Sequence, residues 1–212
     1  MCGIVGFNWH DPDRLRKMKA SVSHRGPDGE GEYLDEFVSL GHRRLSIIDL
    51  SSAGHQPMPN EDETLWLIYN GEIYNYVELA EELKEVGHRF RSKTDSEVIL
   101  HAYESWGQEC VSRFNGMFAF CIYDQNREQL FLARDRYGVK PLHYHFNLLI
   151  DEPLVNPHLP PVPGRGPLAV RALPDGDHEA SRGKGYRPGQ IHARALRDLA
   201  DPLADHLDLF AI

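Results

Sequence analysis

Cysteine is scarce in this 212-residue chain: Cys2, Cys110 and Cys121 are its only three. An odd count with no Cys-x-x-Cys pair fits neither a disulfide framework nor a zinc site. The 12 histidines are scattered, with no His-Glu-x-x-His and no Cys/His pairing, so no metal is expected. No apolar run reaches about 18 residues, so no membrane span is expected. The start, Met1-Cys2-Gly3-Ile4-Val5-Gly6-Phe7, lacks a basic segment before its short apolar stretch. It does not read as a signal peptide, and a cytoplasmic location is expected. Lysine plus arginine total 23 against 32 acidic residues, a net charge of −9 with no basic cluster, which argues against a nucleic-acid partner. Neither G-x-G-x-x-G nor G-x-x-x-x-G-K-[ST] occurs, so no loop for nucleotide phosphates is visible. What is present is ordinary globular composition, 41% hydrophobic and 26% charged, which excludes a wholly disordered or collagen-like chain.

Aromatic residues are nearly missing from the last 62 positions, where only Tyr186 and Phe210 occur. The same stretch holds 9 of the 14 prolines and 6 of the 18 glycines. At about a quarter Pro plus Gly it borders the low-complexity class. The chain therefore divides into residues 1–150 and a Pro/Gly-rich tail, 151–212, read as disordered, as a linker or as the product of a shifted reading frame. Within the tail a helix over Ile191–Leu209 is conceivable from leucine spacing, although Pro202 interrupts it.

Residues 1–150 read as mixed α and β. Strands are expected at Gly3–Trp9, Glu32–Leu40, Arg44–Asp49 and Thr64–Tyr69. Helices are expected at Asp13–Val22, with Leu15, Met18 and Val22 inward, at Asn75–Val86, capped by Asn75 with Val77, Leu79 and Leu83 inward, and at Ser96–Trp106, stopped by Gly107. Met117–Asp124 and Gln129–Arg134 form a hairpin around Gln125–Glu128.

Cys2 carries the chemistry. If Met1 is removed, Cys2 bears both a thiol and a free α-amine. An α-amine of pKa about 7.7–8.0 is a base suited to a thiol whose reference pKa is about 8.5. Nucleophile and base then share one residue, as in N-terminal activated nucleophiles. The alternative is an accidental Met-Cys start in which Cys2 merely packs. Asn70-Gly71-Glu72 offers an amide and a backbone N–H to a developing oxyanion, yet Asn-Gly is also the commonest hairpin turn signal, and spacing alone favours the turn. Arg44 can grip a carboxylate or sit solvated beside Arg43. Asp95 can pair with an ammonium or cap the helix that follows, and as a lone residue capping is the stronger reading. His24-Arg25-Gly26-Pro27-Asp28-Gly29 reads as a mobile loop able to cover a pocket, or as an ordinary turn. Cys110 and Cys121 read as small buried hydrophobes.

Taken in order, Met-Cys-Gly-Ile-Val-Gly, His24–Asp28, Arg44-Leu45-Ser46-Ile47-Ile48-Asp49, Asn70–Asn75, Thr94-Asp95-Ser96-Glu97, Phe114–Phe120 and Arg134–Leu142 resemble the glutaminase half of class II glutamine amidotransferases, most of all the glutamine-hydrolysing asparagine synthetases. The resemblance covers about residues 1–146. It implies a four-layer αββα N-terminal nucleophile hydrolase sandwich, two antiparallel sheets between helical layers, followed here by an irregular C-terminal tail. It implies L-glutamine as substrate, with Cys2 attacking the side-chain amide and Asn70 and the Gly71 N–H forming the oxyanion hole. Arg44 would bind the α-carboxylate, backbone around Leu45, Ser46, Ile47 and Ile48 would shape the pocket, and Glu72 and Asp95 would take the α-ammonium. No cofactor is implied for this chain. ATP and Mg would belong to a synthetase half, whose Ser-Gly-Gly-type loop is not found in these 212 residues, so the synthetase that would use the ammonia is expected to be lost or to lie on another chain. Also open are a catalytically silent remnant that keeps a glutamine pocket and a transferase passing ammonia to a sugar phosphate.

Overall fold

The computed structural model describes residues 1–46, 51–146, 169–172 and 207–211. Strand β1 (Gly3–Phe7) is buried at every position and leads to helix α1 (Pro12–Ser21). Asp11 caps α1 by accepting from the Arg14 N–H at 2.9 Å, and Pro12 occupies the first turn, where its missing N–H costs nothing. Strands β2 (Gly29–Leu34) and β3 (Ser39–Arg44) follow as a hairpin. The single strand expected over Glu32–Leu40 is thus two. Asp35 breaks it, its carboxylate accepting from the N–H groups of Phe37 and Val38 at 2.7 and 2.8 Å. Arg44, expected to open a strand, instead closes β3. Leu45 and Ser46 lie outside any strand, and Ile47–Leu50 lie outside the described residues.

Next come β4 (Met58–Pro59), β5 (Leu65–Ile73), α2 (Tyr76–Glu85), α3 (Asp95–Trp106), α4 (Cys110–Arg113), β6 (Gly116–Asp124), β7 (Gln129–Arg134) and β8 (His143–Phe146). Asn75 does not cap α2. Its side chain bridges to the Arg113 carbonyl and the Asn115 N–H, tying the helix start to the entry of β6. Val77, read as inward, is half exposed, while Leu79 and Leu83 are buried. Two short segments of the tail are described. β9 (Ala169–Ala172) runs parallel beside β7, and β10 (Leu207–Ala211) pairs with both β1 and β8. Residues 207–209, placed at the end of the conceivable tail helix, are therefore strand, paired with residues on β1 and β8; the rest of that helix lies outside the described residues.

Two five-stranded sheets result, ordered β2-β3-β1-β10-β8 and β4-β5-β6-β7-β9. Every pairing is antiparallel except β7 with β9. Period-two alternation assigns each strand face to a layer. On β6, Ala119, Cys121 and Tyr123 join Ile4, Leu40, Ile68, Leu130 and Leu132 between the sheets. The alternate residues Phe118, Phe120 and Ile122 face α2 and α3, packing with Leu79, Leu83, Val98, Ile99 and Tyr103. On the far side of β1, Val5 and Phe7 meet Leu15 and Met18 of α1. Three apolar layers between four strata of secondary structure give the αββα sandwich.

A histidine is buried between the sheets. His42 of β3 donates from Nε2 to the Tyr69 carbonyl on β5 at 3.2 Å, and its Nδ1 has no hydrogen-bond partner among the described residues. Burial above all, with Arg44 and His55 adding, lowers its pKa to about 3. The unfolded imidazole protonates near pH 6.5 and the folded one does not, so His42 withdraws stability as pH falls from 6.5 towards 3. Acid titration of unfolding should lose up to about tenfold in folding constant per pH unit from this group within that window. His42→Gln, which keeps a donor for the Tyr69 carbonyl, should flatten the slope. An unchanged slope would show that His42 is not neutral in the fold.

Candidate functional site

Antiparallel pairing of β1 with β3 sets Gly3 against Arg43. Cys2 and Arg44, one residue beyond each, thereby become neighbours at the mouth of a pocket of about 140 Å³. The Cys2 thiol lies 3.4 Å from the Leu45 N–H, which donates to sulfur, and 3.7 Å from the Leu45 carbonyl. Arg25 Nε donates to the Cys2 carbonyl at 3.2 Å. The His24–Gly29 segment is a 3-10 turn followed by the start of β2, packed on the end of β3: a Cβ on Gly26 would stand 2.3 Å from the Arg43 carbonyl carbon. Burial pushes the Cys2 thiol pKa up. The Leu45 N–H, the nearby N-terminal amine and Arg44 push it back down in part.

Arg44 is buried, donating from Nη1 to the Ser51 carbonyl at 2.8 Å. Gly54 forms part of its seat, because a Cβ there would lie 2.4 Å from Nη2. The solvated alternative for Arg44 does not hold.

Asn70 and Gly71 are not a turn. β5 runs on through them, with Asn70 opposite Ala119 and Gly71 opposite Phe118 on β6. A Cβ at Gly71 would meet the Met117 carbonyl oxygen at 2.4 Å, so β6 presses too closely for any other residue. The Asn70 amide is 1% exposed, and its Nδ2 has no partner among the described residues. A buried donor without an acceptor is costly, and this one lines the pocket. Glu72 lies on the same strand, exposed at the rim.

Asp95 is not the helix cap. Thr94 caps α3, accepting from the Glu97 N–H. Asp95 is the first helical residue, and its Oδ2 accepts from the Tyr69 hydroxyl at 2.6 Å and the Ile73 N–H at 3.0 Å. Burial raises its pKa, and these two donors partly restore it. Gln56 links the same parts: its Oε1 accepts from the Tyr69 N–H at 2.7 Å and its Nε2 donates to Ser96 Oγ at 3.2 Å.

Cys2, Arg44, Leu45, Ser46, Asn70, Gly71, Glu72 and Asp95 all line this one pocket. Ile47 and Ile48 lie outside the described residues. Gln56, Tyr69, Met117 and Lys140, which sequence reading did not single out, line it too. Lys140 is placed by Asp135, whose carboxylate accepts from the N–H groups of Phe118, Tyr137, Val139 and Lys140. Cys110 and Cys121 are buried away from the pocket, and burial pushes the Cys110 thiol up to about 12 and Cys121 up as well.

Thiol, guanidinium, orphaned amide and carboxylate thus meet in one cleft of an αββα sandwich. The chain belongs to the glutamine amidotransferase domain family, which matches residues 1–150. Among its relatives, asparagine synthetase [glutamine-hydrolyzing] 1 of Bacillus subtilis is 47% identical over 68% of this chain and 24% of its own length. Asparagine synthetase [glutamine-hydrolyzing] 3 of the same organism is 42% identical over 68% of this chain and 25% of its own. The chain thus spans about a quarter of the length of these relatives. Glutamine phosphoribosylpyrophosphate amidotransferase from B. subtilis shares the fold, with TM-score 0.56 and 21% identity over 68% of this chain and 39% of that one. Among the described residues no helix is long and apolar enough to cross a membrane.

The three thiols differ in access, which a labelling experiment reads directly. Iodoacetamide on the native chain should alkylate Cys2 alone, faster as pH rises, with Cys110 and Cys121 labelled only after denaturation; peptide mass mapping checks this. Equal native labelling of Cys110 would contradict the burial described.

Proposed function

We propose that residues 1–150 form a glutaminase domain that hydrolyses the side-chain amide of L-glutamine to glutamate and ammonia through a γ-glutamyl thioester on Cys2. The observation that carries the reading is the Asn70 Nδ2, buried, without a partner among the described residues, on a residue that lines the same pocket as Cys2. After Met1 removal the Cys2 α-amine takes the thiol proton as Sγ attacks the amide carbon. Asn70 Nδ2 and the Gly71 N–H stabilise the oxyanion. The C–N bond breaks, the α-amine passes its proton to the leaving ammonia, and a thioester remains. Water then adds to the thioester and releases glutamate and the thiol. Arg44 holds the α-carboxylate, and Asp95 and Glu72 hold the α-ammonium. Leu45 and Ser46 shape the wall. The ammonia then serves a synthetase domain.

Steady-state glutaminase kinetics test each role. Cys2→Ala should abolish turnover. Arg44→Ala should lower kcat/KM by roughly ten- to several-hundred-fold, mainly through KM, since one or two charge-assisted hydrogen bonds of about 1.5–3 kcal/mol are lost. Asn70→Ala should cost about 10²–10³ in kcat. Gly54→Ala should raise KM with little change in kcat, because its methyl displaces the Arg44 guanidinium. Intact mass should show the active chain beginning at Cys2. Activity with Met1 retained, or an unchanged kcat in Asn70→Ala, would remove the corresponding step.

A further inference from the structure

Away from the pocket, α3 and the turn after α2 bring two histidines and a glutamate together. Gly87, at φ 107°, ends α2, and the His88 N–H donates to the Leu83 carbonyl at 3.0 Å, fixing His88 directly after the helix stop. His101 and Glu104 lie one turn apart on α3. Glu104 Oε2 stands 2.9 Å from His101 Nδ1 and 3.4 Å from His88 Nδ1. One ligand-capable atom from each of the three lies within 4.8 Å of the others. A tetrahedral ion with bonds of about 2.0–2.2 Å holds its ligand atoms about 3.3–3.6 Å apart, so little movement would close this set around one.

The atoms that face away from the centre are also arranged for ligation. His88 Nε2 lies 2.7 Å from Ser105 Oγ, and Glu104 Oε1 accepts from Asn60 Nδ2 at 2.9 Å. His101, 1% exposed, has an Nε2 without a hydrogen bond among the described residues, facing carboxylate oxygens of Glu97 at 3.6 Å and Glu61 at 3.7 Å. Ligation through Nδ1 puts the proton on Nε2, within ion-pair range of those carboxylates. Such carboxylate–histidine–metal chains orient ligands in known sites.

We propose that His88 Nδ1, His101 Nδ1 and Glu104 Oε2 bind a zinc-class divalent cation, with water as the fourth ligand. His-x-x-Glu on α3 and a lone histidine 13 positions earlier carry no recognised spacing, which is why the sequence showed no metal pattern. The ion staples α3 to the end of α2. His101 is six residues from Asp95, about 9 Å along the helix axis, so the site is separate from the pocket chemistry and does not depend on the glutamine reading.

The test is zinc titration of the full chain by calorimetry, repeated with cobalt(II) for its visible spectrum, in the parent and in Cys2→Ala. One ion per chain is expected, with a tetrahedral cobalt spectrum lacking thiolate charge transfer and unaffected by Cys2→Ala. His88→Gln and Glu104→Gln, each checked as folded by circular dichroism, should weaken binding at least tenfold and lose the zinc-dependent rise in thermal midpoint seen in the parent. Absence of stoichiometric uptake, uptake lost with Cys2→Ala, or uptake unchanged in both substituted chains would overturn the site.

Discussion

The hydrogen bond from the Tyr69 hydroxyl to the buried Asp95 carboxylate joins the two halves of the pocket. Tyr69 belongs to β5, one residue before Asn70. Asp95 opens α3. A carboxylate this deeply buried is costly to keep charged, and its donors Tyr69 and the Ile73 N–H both come from β5. The helix N-terminus is thereby drawn onto the strand, and its own partial positive charge favours the anion there. Gln56 repeats the link with neutral groups, bonding Tyr69 on one side and Ser96 on the other. The spacing between amide and carboxylate is thus fixed by direct strand-to-helix bonds and by a residue of the 51–60 segment that bridges both.

The layered architecture was implied by the family resemblance, and some of its parts were legible locally. Met117–Asp124 and Gln129–Arg134 were read as a hairpin, and that pair lies at the centre of its sheet. Leu15, Met18 and Val22, and Leu79 and Leu83, were read as inward and are buried. The misreadings share a cause. Asn70-Gly71 has the local preference of a turn, but nine consecutive pairings with β6 override it. Asp95 has the local preference of a cap, but Thr94 takes that place and leaves the carboxylate to tertiary partners.

Gln56, Tyr69 and Lys140 left no local signal at all. Each is ordinary in its own segment and acquires meaning only where β5, the 51–60 segment, α3 and the 135–140 turn meet. The same holds for His88, His101 and Glu104. The ordered motif set identified the family where single motifs could not, because each motif supplies one wall of a cavity that local propensity cannot describe.

The Arg44 seat has a consequence for how this pocket can diverge. The guanidinium is fixed by the Ser51 carbonyl and by the space Gly54 leaves, both beyond the Ile47–Leu50 stretch. Any side chain at position 54 would enter the volume the guanidinium fills, so the charge and the glycine that makes room for it can change only together.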